Sequence, residues 1–497
     1  MMHLYRYLFT CLIWATYSVG FSQVWVYDYP DTLVFTTHLG KNFRSPQYQV
    51  EIFQDGKSYD SYVMADYNTF PSHHGGRKLM TDWNHFTVFS FKGKIEIRVT
   101  KLDETPIEKC TIYPLVKEIP FQINGKELLI TLDKPQKLYV EMKGMENDPL
   151  FLFADAPEEN IPNKNAPEVG LVQPDMPVKK VREILLNPDL ETVYFEEGIH
   201  QFGEETDAGY PGYQLPVVSN KKIYIPGGAY IVGSFRGENV SNIKICGRGI
   251  ISGCGKERLA QAKSIPFNQI QLDGTGEHQI VEGLTFTNAP HFVLLSRGKI
   301  TAHNLKMFAW YHQTDGFGGN EGSVIFDTFM KVNDDFVKIY RDHQQAWDMY
   351  FYKQINGALF QLGWNAYGSA NHTKVHDIYV MKDAKKYPQK ESNTAVVNLV
   401  NNGGSNIGNC SFENIYIDQY VQRLLGIKLK GGTIKNIHIK NVFINGGNNA
   451  FNYLYALERG KISNITLENI NIGTSKISTK EAFNLKTEGE VEKVNFQ

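Results

Sequence analysis

The sequence lacks an excess of charge of either sign. Over 497 residues, 51 lysine and arginine side chains are balanced by 53 aspartate and glutamate side chains, and the formal net charge is −2. A chain with this balance has no positive field that would draw it onto nucleic acid or onto an anionic membrane surface. We therefore expect no nucleic-acid partner and no membrane partner.

Cysteine is also scarce, with five residues in the whole chain. A chain of this length needs no disulfide to fold, and no Cys/His spacing resembles a zinc site. A bridge between Cys246 and Cys254 remains open in an oxidising compartment, but we expect buried free thiols. The adjacent His73 and His74 are interpreted as solvated loop residues. We predict no metal and no cofactor.

Long apolar runs are missing beyond the first residues of the chain. Residues 8–15 form an apolar run that is too short to cross a bilayer, with Arg6 before it and the small residues Gly20 and Ser22 after it. This order is typical of a cleavable secretory signal peptide. We predict a signal peptide over residues 1–22 and a secreted or periplasmic mature protein, which we expect to be monomeric.

Helical periodicity is rare, and short alternating runs take its place. Between residues 23 and 156, runs such as YQVEIFQ, FTVFSF, KIEIRVT and ELLITL alternate apolar and polar residues. Asp55-Gly56, Lys92-Gly93 and Asn124-Gly125 stand between such runs, and their glycines can supply the positive φ of a hairpin turn. Residues 23–156 are therefore predicted to form an antiparallel β-sandwich.

A cluster of prolines marks a boundary between two domains. Their density between residues 157 and 177 is typical of an extended connector, which we place at residues 157–178. The segment PVKKVREILL predicts a short helix near the end of this connector. We expect Asp175 to cap this helix, Pro177 to lie in its first turn and Leu185 to lie on its apolar side.

A quasi-repeat fills the rest of the chain. Segments such as KIYIPGGAYIVG, SNIKICGRGIISG, SVIFDTFMKV and GKISNITLENINIG recur mostly 20 to 37 residues apart. Each alternates apolar and polar residues and places Asn or Gly at its corners, which is typical of a parallel β-solenoid. We predict an all-β chain in which residues 179–497 form a parallel β-helix. Asn242, Asn436 and Asn464 are expected to be corner residues that form hydrogen-bonded ladders.

One stretch of the solenoid concentrates acidic side chains. Asp315 precedes the adjacent pair Asp334 and Asp335 by about one coil. Because parallel strands of neighbouring coils lie about 4.8 Å apart, we expect the three carboxylates to meet on one outer face. Like charges this close cannot all ionise, so at least one pKa should be raised. One protonated carboxyl beside ionised ones is what acid/base hydrolysis of a glycosidic bond requires.

This arrangement requires the backbone to leave the regular strand conformation near the two adjacent aspartates. In a regular strand Asp334 and Asp335 would point to opposite faces, so we expect the chain to bend near Asn333. Lys338 and Tyr340 follow at alternating positions and should share the surface of the aspartates. A cation and a phenol beside three acids are typical of a sugar-binding site rather than of a core.

Four motifs carry a resemblance to a known family: Gln313-Thr314-Asp315-Gly316, Val332-Asn333-Asp334-Asp335, Lys338-Ile339-Tyr340 and Gln361-Leu362-Gly363-Trp364. They resemble the motifs of glycoside hydrolase family 49, the dextranases and isopullulanases. The resemblance covers most of the mature chain, including YFEEGIHQF, IPGGAYIVGSF and the NAPH motif at 288–291. It implies a right-handed parallel β-helix akin to that of polygalacturonases, and an inverting endo-hydrolysis of α-glucans.

The resemblance also implies roles for single residues. Asp334 resembles the general acid, and Asp315 and Asp335 resemble the pair that activates the attacking water. Inversion needs room for that water, with carboxyl groups roughly 6.5–9.5 Å apart. The residues expected to bind substrate are Lys338, Tyr340, Gln361, Trp364, Asn333 and Gln313.

Three other functions fit parts of the pattern. The same frame could hydrolyse a charged or algal polysaccharide, which basic residues along the subsites would favour. A polysaccharide lyase would use the aspartates to bind calcium. A non-catalytic carbohydrate-binding solenoid, such as an adhesin, would use them as turn residues. Solenoids host many functions, so the site and not the fold has to decide.

Overall fold

Alternating burial shapes the chain from its first long strand. In the computed structural model, Tyr48–Gln54 buries every second side chain, as one face of a sheet requires. The predicted signal peptide, His73 and His74 lie outside the part of the chain that the structure describes. That part comprises residues 23–30, 32–33, 41–66, 83–203, 206–207, 210–256, 267–309, 311, 313–365, 368–383, 393–401, 404–447 and 450–497.

An antiparallel β-sandwich forms the N-terminal domain, as predicted. Its strands are β1 (Gln23–Val26), β2 (Thr32–Leu33), β3 (Lys41–Asn42), β4 (Tyr48–Gln54), β5 (Lys57–Ser61), β6 (Met64–Asp66), β7 (Asn84–Lys92), β8 (Ile95–Lys101), β9 (Cys110–Tyr113), β10 (Phe121–Asn124), β11 (Glu127–Leu132), β12 (Gln136–Met142) and β13 (Leu150–Asp155), with a 3-10 helix at Leu115–Lys117. Among the described strands, one sheet has the order β1-β7-β13-β12-β9 with β6 beside β7, and the other has the order β10-β11-β8-β4-β5. Most pairs are antiparallel, whereas β13 and β7 are parallel.

Two of the three predicted hairpin turns are present. Asp55-Gly56 joins β4 to β5, and Asn124-Gly125 joins β10 to β11, with φ of 75° at Gly56 and 61° at Gly125. The prediction for Lys92-Gly93 is wrong, because β7 and β8 belong to different sheets and the chain crosses between them there. Alternation of apolar residues records that a strand has a buried face, but not which strand pairs with it.

A parallel β-helix forms the rest of the described chain. Its elements are β14 (Val169–Val172), α1 (Val178–Leu186), β15 (Thr192–Phe195), β16 (Gly198–Gln201), β17 (Thr206–Asp207), β18 (Tyr210–Pro211), β19 (Gln214–Pro216), β20 (Lys221–Ile225), β21 (Ala229–Val232), β22 (Ser234–Glu238), β23 (Ile243–Gly247), β24 (Ile250–Ser252), β25 (Ile270–Asp273), β26 (Gln279–Glu282), β27 (Thr285–Thr287), β28 (Leu294–Ser296), β29 (Ile300–His303), β30 (Lys306–Phe308), β31 (Phe317–Gly318), β32 (Val324–Lys331), β33 (Val337–Lys338), β34 (Gln345–Lys353), β35 (Phe360–Trp364), β36 (Lys374–Asp383), β37 (Val397–Asn401), β38 (Ser405–Ile417), β39 (Leu425–Ile444), β40 (Asn452–Ile472), β41 (Ser475–Ile477) and β42 (Leu485–Phe496). Coil stacks on coil in parallel register, as where Val337 pairs with Phe360 and Phe360 with Val397. These inward side chains are fully buried and form a continuous apolar core.

The start of the β-helix differs from the prediction in two details. Strand β14 lies inside the stretch 157–178 that was predicted as connector, and it pairs with β15. Helix α1 begins after Pro177, which is the N-cap residue and not part of the first turn. Asp175 does not cap the helix, because it lies two residues before the N-cap, where its carboxylate cannot reach the first free N–H groups. Leu185 is buried, as predicted.

Asparagine ladders stabilise the corners of the β-helix, as predicted. The Nδ2 atom of Asn242 donates to Asn220 Oδ1 at 3.0 Å, and Asn464 Nδ2 donates to Asn436 Oδ1 at 2.7 Å. Asn436 itself donates to Asn409 at 2.9 Å. The ladder residues have positive φ, which asparagine tolerates better than most residues.

The four described cysteines, Cys110, Cys246, Cys254 and Cys410, are buried free thiols. The prediction of free thiols is therefore confirmed, and Cys246 and Cys254 do not form a disulfide. In the described residues, no helix is both long and apolar enough to cross a membrane.

Aromatic rings join the two domains. Phe151 and Phe153 of β13 lie with ring centroids 4.9 and 5.1 Å from Phe329 of β32, and Phe86 of β7 stacks on Phe308 of β30 at 4.9 Å. All five rings are buried. One sheet of the sandwich thus has two apolar faces, one against its partner sheet and one against the β-helix.

Candidate active site

The register of neighbouring coils brings the three predicted aspartates together. Phe317 pairs with Val337 of the next coil, and the same offset places Asp315 beside Asp335. The backbone N–H of Gly316 donates to the carbonyl of Asp335 at 2.9 Å, which continues this register. Carboxylate oxygens lie within 4.8 Å of one another in the cluster of Asp315, Asp334 and Asp335.

The backbone bends where the sequence required it. Strand β32 ends at Lys331 and β33 begins at Val337, and residues 333 and 334 lie in bends between them. Gly357 of the following coil packs directly beneath this bend with a φ of 78°. A Cβ atom at Gly357 would lie 1.9 Å from the carbonyl carbon of Asp334, so only glycine fits there. The backbone of Asp334 is therefore positioned by the coil below it.

Lys338 links two of the acids. Its Nζ atom lies 2.9 Å from Asp315 Oδ2 and 3.5 Å from Asp335 Oδ2. Burial alone would lower the pKa of Lys338, but the charges of Asp315 and Asp335 outweigh burial and raise this pKa above its usual value. Lys338 is therefore a fixed positive charge that the side chains of Asp315 and Asp335 share.

Two further donors contact the carboxyl group of Asp335. The backbone N–H of Ala358 and the Nδ2 atom of Asn393 each donate to Asp335 Oδ1 at 3.0 Å. Asn393 was not predicted as a site residue. It reaches the site from the segment before β37, which carries no motif that would have announced it.

Asp334 differs from the other two acids. Burial raises its pKa well above the usual value, and the charges of Asp335 and Asp315 raise it further. Lys338 lowers this pKa by a smaller amount. The site therefore places one carboxyl that tends to keep its proton beside two carboxyls that share a cation, which suits acid/base catalysis.

The other predicted residues fall into two groups. Lys338, Tyr340 and Gln313 are partly buried around the site, and Trp364 is 40% exposed. Asn333 and Gln361 are fully buried, with 0% exposure each.

Neither of these two side chains is exposed to a ligand in this structure, and their contact with substrate stays a prediction. The Nε2 atom of Gln361 donates to the carbonyl of Gly363 at 2.8 Å, so its amide supports the strand. The carbonyl of Asn333 accepts the N–H of Gln313 at 3.1 Å, which joins the first motif to the second.

A cleft of about 400 Å³ opens beside Lys338. The sequence reasoning missed Phe292 and Arg297, which line it with Tyr340 and Arg341. The Nζ atom of Lys338 lies 5.0 Å from the centroid of the Phe292 ring. The NAPH motif at 288–291 directly precedes Phe292 and was the available signal for this side of the cleft.

The three aspartates could also contribute oxygens to a metal ion, since they lie within 4.8 Å of one another. Lys338 already places an ammonium group 2.9 Å from Asp315. A cation bound by all three acids would have to share that space with Lys338. The donor set therefore fits an acid/base site better than a calcium site.

The fold and the site define a class of protein, a parallel β-helix with a cluster of acids on its outer face. No family model matches the sequence. The chain is 25% identical over 315 residues to a dextranase from Arthrobacter sp. (strain CB-8), which covers 57% of this chain and 44% of the relative. It is 23% identical over 376 residues to an isopullulanase from Aspergillus niger, covering 66% and 63%. The matched part of the chain thus spans about half the length of the curated relatives.

Among solved structures, Dex49A from Penicillium minioluteum matches with a TM-score of 0.69 and 18% identity over 92% of this chain and 94% of that one. This match shows that the two proteins share a fold. The curated relatives are named as a dextranase and an isopullulanase, and their similarity confirms the resemblance to glycoside hydrolase family 49 that the sequence motifs carry.

Proposed function

We propose that the protein is an exported, inverting endo-glycoside hydrolase that cleaves a polysaccharide, with an α-glucan such as dextran as the first candidate substrate. The observation that carries this proposal is the division of charge within one cluster of acids. Asp334 has a raised pKa, and Asp315 and Asp335 both contact Lys338. The relatives named as a dextranase and an isopullulanase support the choice of an α-glucan.

In this mechanism each acid has one task. Asp334 gives its proton to the glycosidic oxygen while the bond between that oxygen and the anomeric carbon breaks. Asp315 and Asp335 take a proton from a water molecule, and the water oxygen attacks the anomeric carbon from the opposite side. The products are a free hydroxyl on the leaving sugar and a hemiacetal of inverted configuration.

The distances between the acids bear on the stereochemistry of the reaction. Oxygens of the three acids lie within 4.8 Å of one another, closer than the roughly 6.5–9.5 Å expected for inversion and nearer to the value of about 5 Å for retention. The contacts of Lys338 favour inversion all the same. Because one ammonium group holds both Asp315 and Asp335, they form a side-by-side pair that can share a water, and neither is a separate nucleophile.

Two measurements test the proposal. We expect Asp334→Asn to lower hydrolysis of the substrate polymer by about 10²–10⁴-fold, the usual contribution of a general acid, with an unchanged circular dichroism spectrum. The matched control is Asp377→Asn, an aspartate at another corner of the β-helix that is 42% exposed, which should keep normal turnover. Near-normal turnover by Asp334→Asn would end the assignment of the general acid.

NMR of the freshly formed reducing ends gives the stereochemistry. We expect the anomeric configuration of the first product to be opposite to that of the cleaved linkage. Retention would show that one aspartate acts as a nucleophile, and the proposed pairing of Asp315 with Asp335 would then be wrong.

A further inference from the structure

The cleft beside Lys338 adjoins the cluster of acids, because Lys338 lines the cleft and also contacts Asp315 and Asp335. Its lining comes from three successive coils, which contribute Arg297, Gly318 and Arg341 among others. A sugar unit next to the scissile bond would therefore lie in this cleft. The side chains that line the cleft determine which sugar it can bind.

Positive charge dominates this lining. Among the residues that the structure describes, it includes the cationic side chains of Arg297, Lys338 and Arg341 and no acidic side chain. Lys338 is already paired with Asp315 and Asp335. The two arginines are therefore the cations that remain for a ligand.

The two guanidinium groups are only partly neutralised by the protein. Arg297 is 65% exposed, and its Nε atom lies 3.4 Å from Asp273, which also accepts a 3.0 Å contact from Arg236. One carboxylate is thus shared by two guanidinium groups. Arg341 donates from one terminal nitrogen to the carbonyl of Tyr340 at 2.9 Å, and no carboxylate of a described residue lies within salt-bridge distance of it.

Glycine leaves room for a bulky ligand between the arginines. A Cβ atom at Gly318 would lie 3.1 Å from Leu295 Cδ1 and 3.3 Å from Phe292 Cε1, so a larger side chain would fill the floor of the cleft. The rings of Phe292 and Tyr340 contribute apolar surface to the same lining, which suits a sugar ring. The cleft therefore combines a place for the ring with two cations near it.

We propose that this cleft is a subsite for a sugar unit that carries an anionic substituent, either a sulfate ester or a carboxylate. The proposal rests on the hydrolase function proposed above and changes its first candidate substrate from a neutral α-glucan to a polysaccharide that carries anionic groups. A guanidinium group presents a planar fork of N–H donors that matches two oxygens of either anion. The hydroxyl groups of a neutral sugar can accept hydrogen bonds from a guanidinium group but carry no charge, so an anionic substituent is the stronger partner for the two arginines.

Binding to a matched set of polymers tests this subsite. The Asp334→Asn protein, which should bind without cleaving, is titrated with dextran, dextran sulfate, carboxymethyl dextran and a polyuronate. We expect an anionic polymer to bind at least about tenfold more tightly than the neutral one, with a preference that weakens as salt is added. Comparison of the sulfated, carboxymethylated and uronate polymers identifies which anion the site prefers.

Substitutions then attribute the preference to the cleft. Arg341→Gln and Arg297→Gln should each lower the ratio of anionic to neutral affinity about tenfold, and Arg341→Lys should retain part of it. The control Arg459→Gln removes an exposed arginine outside the cleft lining and should leave the ratio unchanged. The proposal is overturned if the tightest polymer is neutral, or if Arg341→Gln weakens neutral and anionic polymers equally.

Failure of the subsite and failure of the enzyme proposal are separate results. If the protein hydrolyses a neutral polymer and Asp334→Asn abolishes that activity, the hydrolase proposal is supported and the proposal of an anionic subsite is contradicted. If no polymer is hydrolysed but the arginines still produce a preference for anionic polymers, the subsite proposal is supported and the enzyme proposal is contradicted.

Discussion

Two groups of three aspartates lie on the same β-helix and differ in their surroundings. Besides the candidate site, Asp327, Asp348 and Asp377 follow one another at one corner, because Phe326 pairs with Trp347 and Trp347 with His376 in the adjacent register. We call this second group the corner column. Its position continues an asparagine ladder, since Asn414 Nδ2 donates to Asp377 Oδ1 at 3.0 Å.

Each acid of the corner column has its own neutral or cationic donor. Lys137 of the sandwich forms a salt bridge with Asp327. The hydroxyl of Tyr350 donates to Asp348 at 2.8 Å, and His376 Nδ1 lies 2.8 Å from Asp377 Oδ2. In the candidate site, a single Lys338 serves two acids, and Asp334 is left with a strongly raised pKa. Spacing along the chain brings acids together, but the donors around them decide whether they are structural or reactive.

The largest expected difference between the two groups is in activity. We expect Asp335→Asn to lower turnover by about 10²–10⁴-fold, because the water loses one of its two bases and Lys338 loses one of its two partners. Asp348→Asn should leave turnover within about twofold. Both variants are measured for hydrolysis and for thermal unfolding. Equal losses of activity would show that the corner column also takes part in the chemistry.

The next difference concerns the glycine beneath Asp334. Gly357→Ala should reduce turnover about tenfold or more and destabilise the fold by about 1–3 kcal/mol, because its new Cβ must displace the backbone of Asp334. Gly473→Ala is the matched control. Gly473 also has positive φ, 58°, but a Cβ there would meet no atom within 4 Å. We expect that control to lose some stability and no activity, and a similar loss of turnover in both would contradict the positioning role of Gly357.

A smaller effect is expected in the corner column. Lys137→Met should destabilise the protein by about 1–2 kcal/mol without changing the rate of hydrolysis, because Asp327 then loses its salt bridge and only the more distant charge of Lys117 remains near Asp327 and Asp348. The side chain of Asp327 is 37% exposed, so water moderates this loss. The comparison is Lys143→Met, whose exposed pair with Glu108 should be worth less than about 1 kcal/mol.

A second variant separates the charge from the packing of Lys137. Asp327→Asn in the Lys137→Met background should recover most of the lost stability, since an amide can join the ladder. If the double variant is no more stable than Lys137→Met alone, the loss comes from packing and not from the unpaired carboxylate.

The smallest expected effect is a pH-dependent shift in stability. The folded-state pKa of Asp334 is raised above its usual value of 3.8, so the folded protein holds this proton more tightly than the unfolded chain does. The stability that this provides is present at acid pH and is lost as the pH rises through the raised pKa. Asp334→Asn should therefore match the wild type at low pH and melt at about 2 °C higher at neutral pH. A gap that grows toward acid pH would have the wrong sign and would contradict the raised pKa.

The sequence was sufficient where function depends on spacing along one chain. The interval between Asp315 and Asp335 equals one coil, so their contact, the bend at residues 333–334 and the asparagine ladders could all be predicted. The glycine-containing pairs were a weaker guide. Lys92-Gly93 has the same local signal as the two true hairpins, and only the sheet order distinguishes it.

The rest depended on contacts between distant parts of the chain. Asn393 reaches the site from another coil, and no local pattern points to it. Lys137 reaches the corner column only because the sandwich docks there. The burial of Asn333 and Gln361 also follows from the stacking of whole coils. From the sequence alone, polar residues within a motif are expected to be exposed to a ligand.

The aromatic contacts between the domains have a consequence for protein engineering. Rings on β7 and β13 pack against rings on β30 and β32, so each domain supplies part of the other's interior. The N-terminal domain is therefore unlike an appended carbohydrate-binding module, which can be removed or transplanted along a linker. Cutting the chain at the proline cluster would expose a phenylalanine-rich surface on both fragments, and such surfaces associate with one another. Redesign of the specificity is better confined to the cleft, with the two domains kept as one piece.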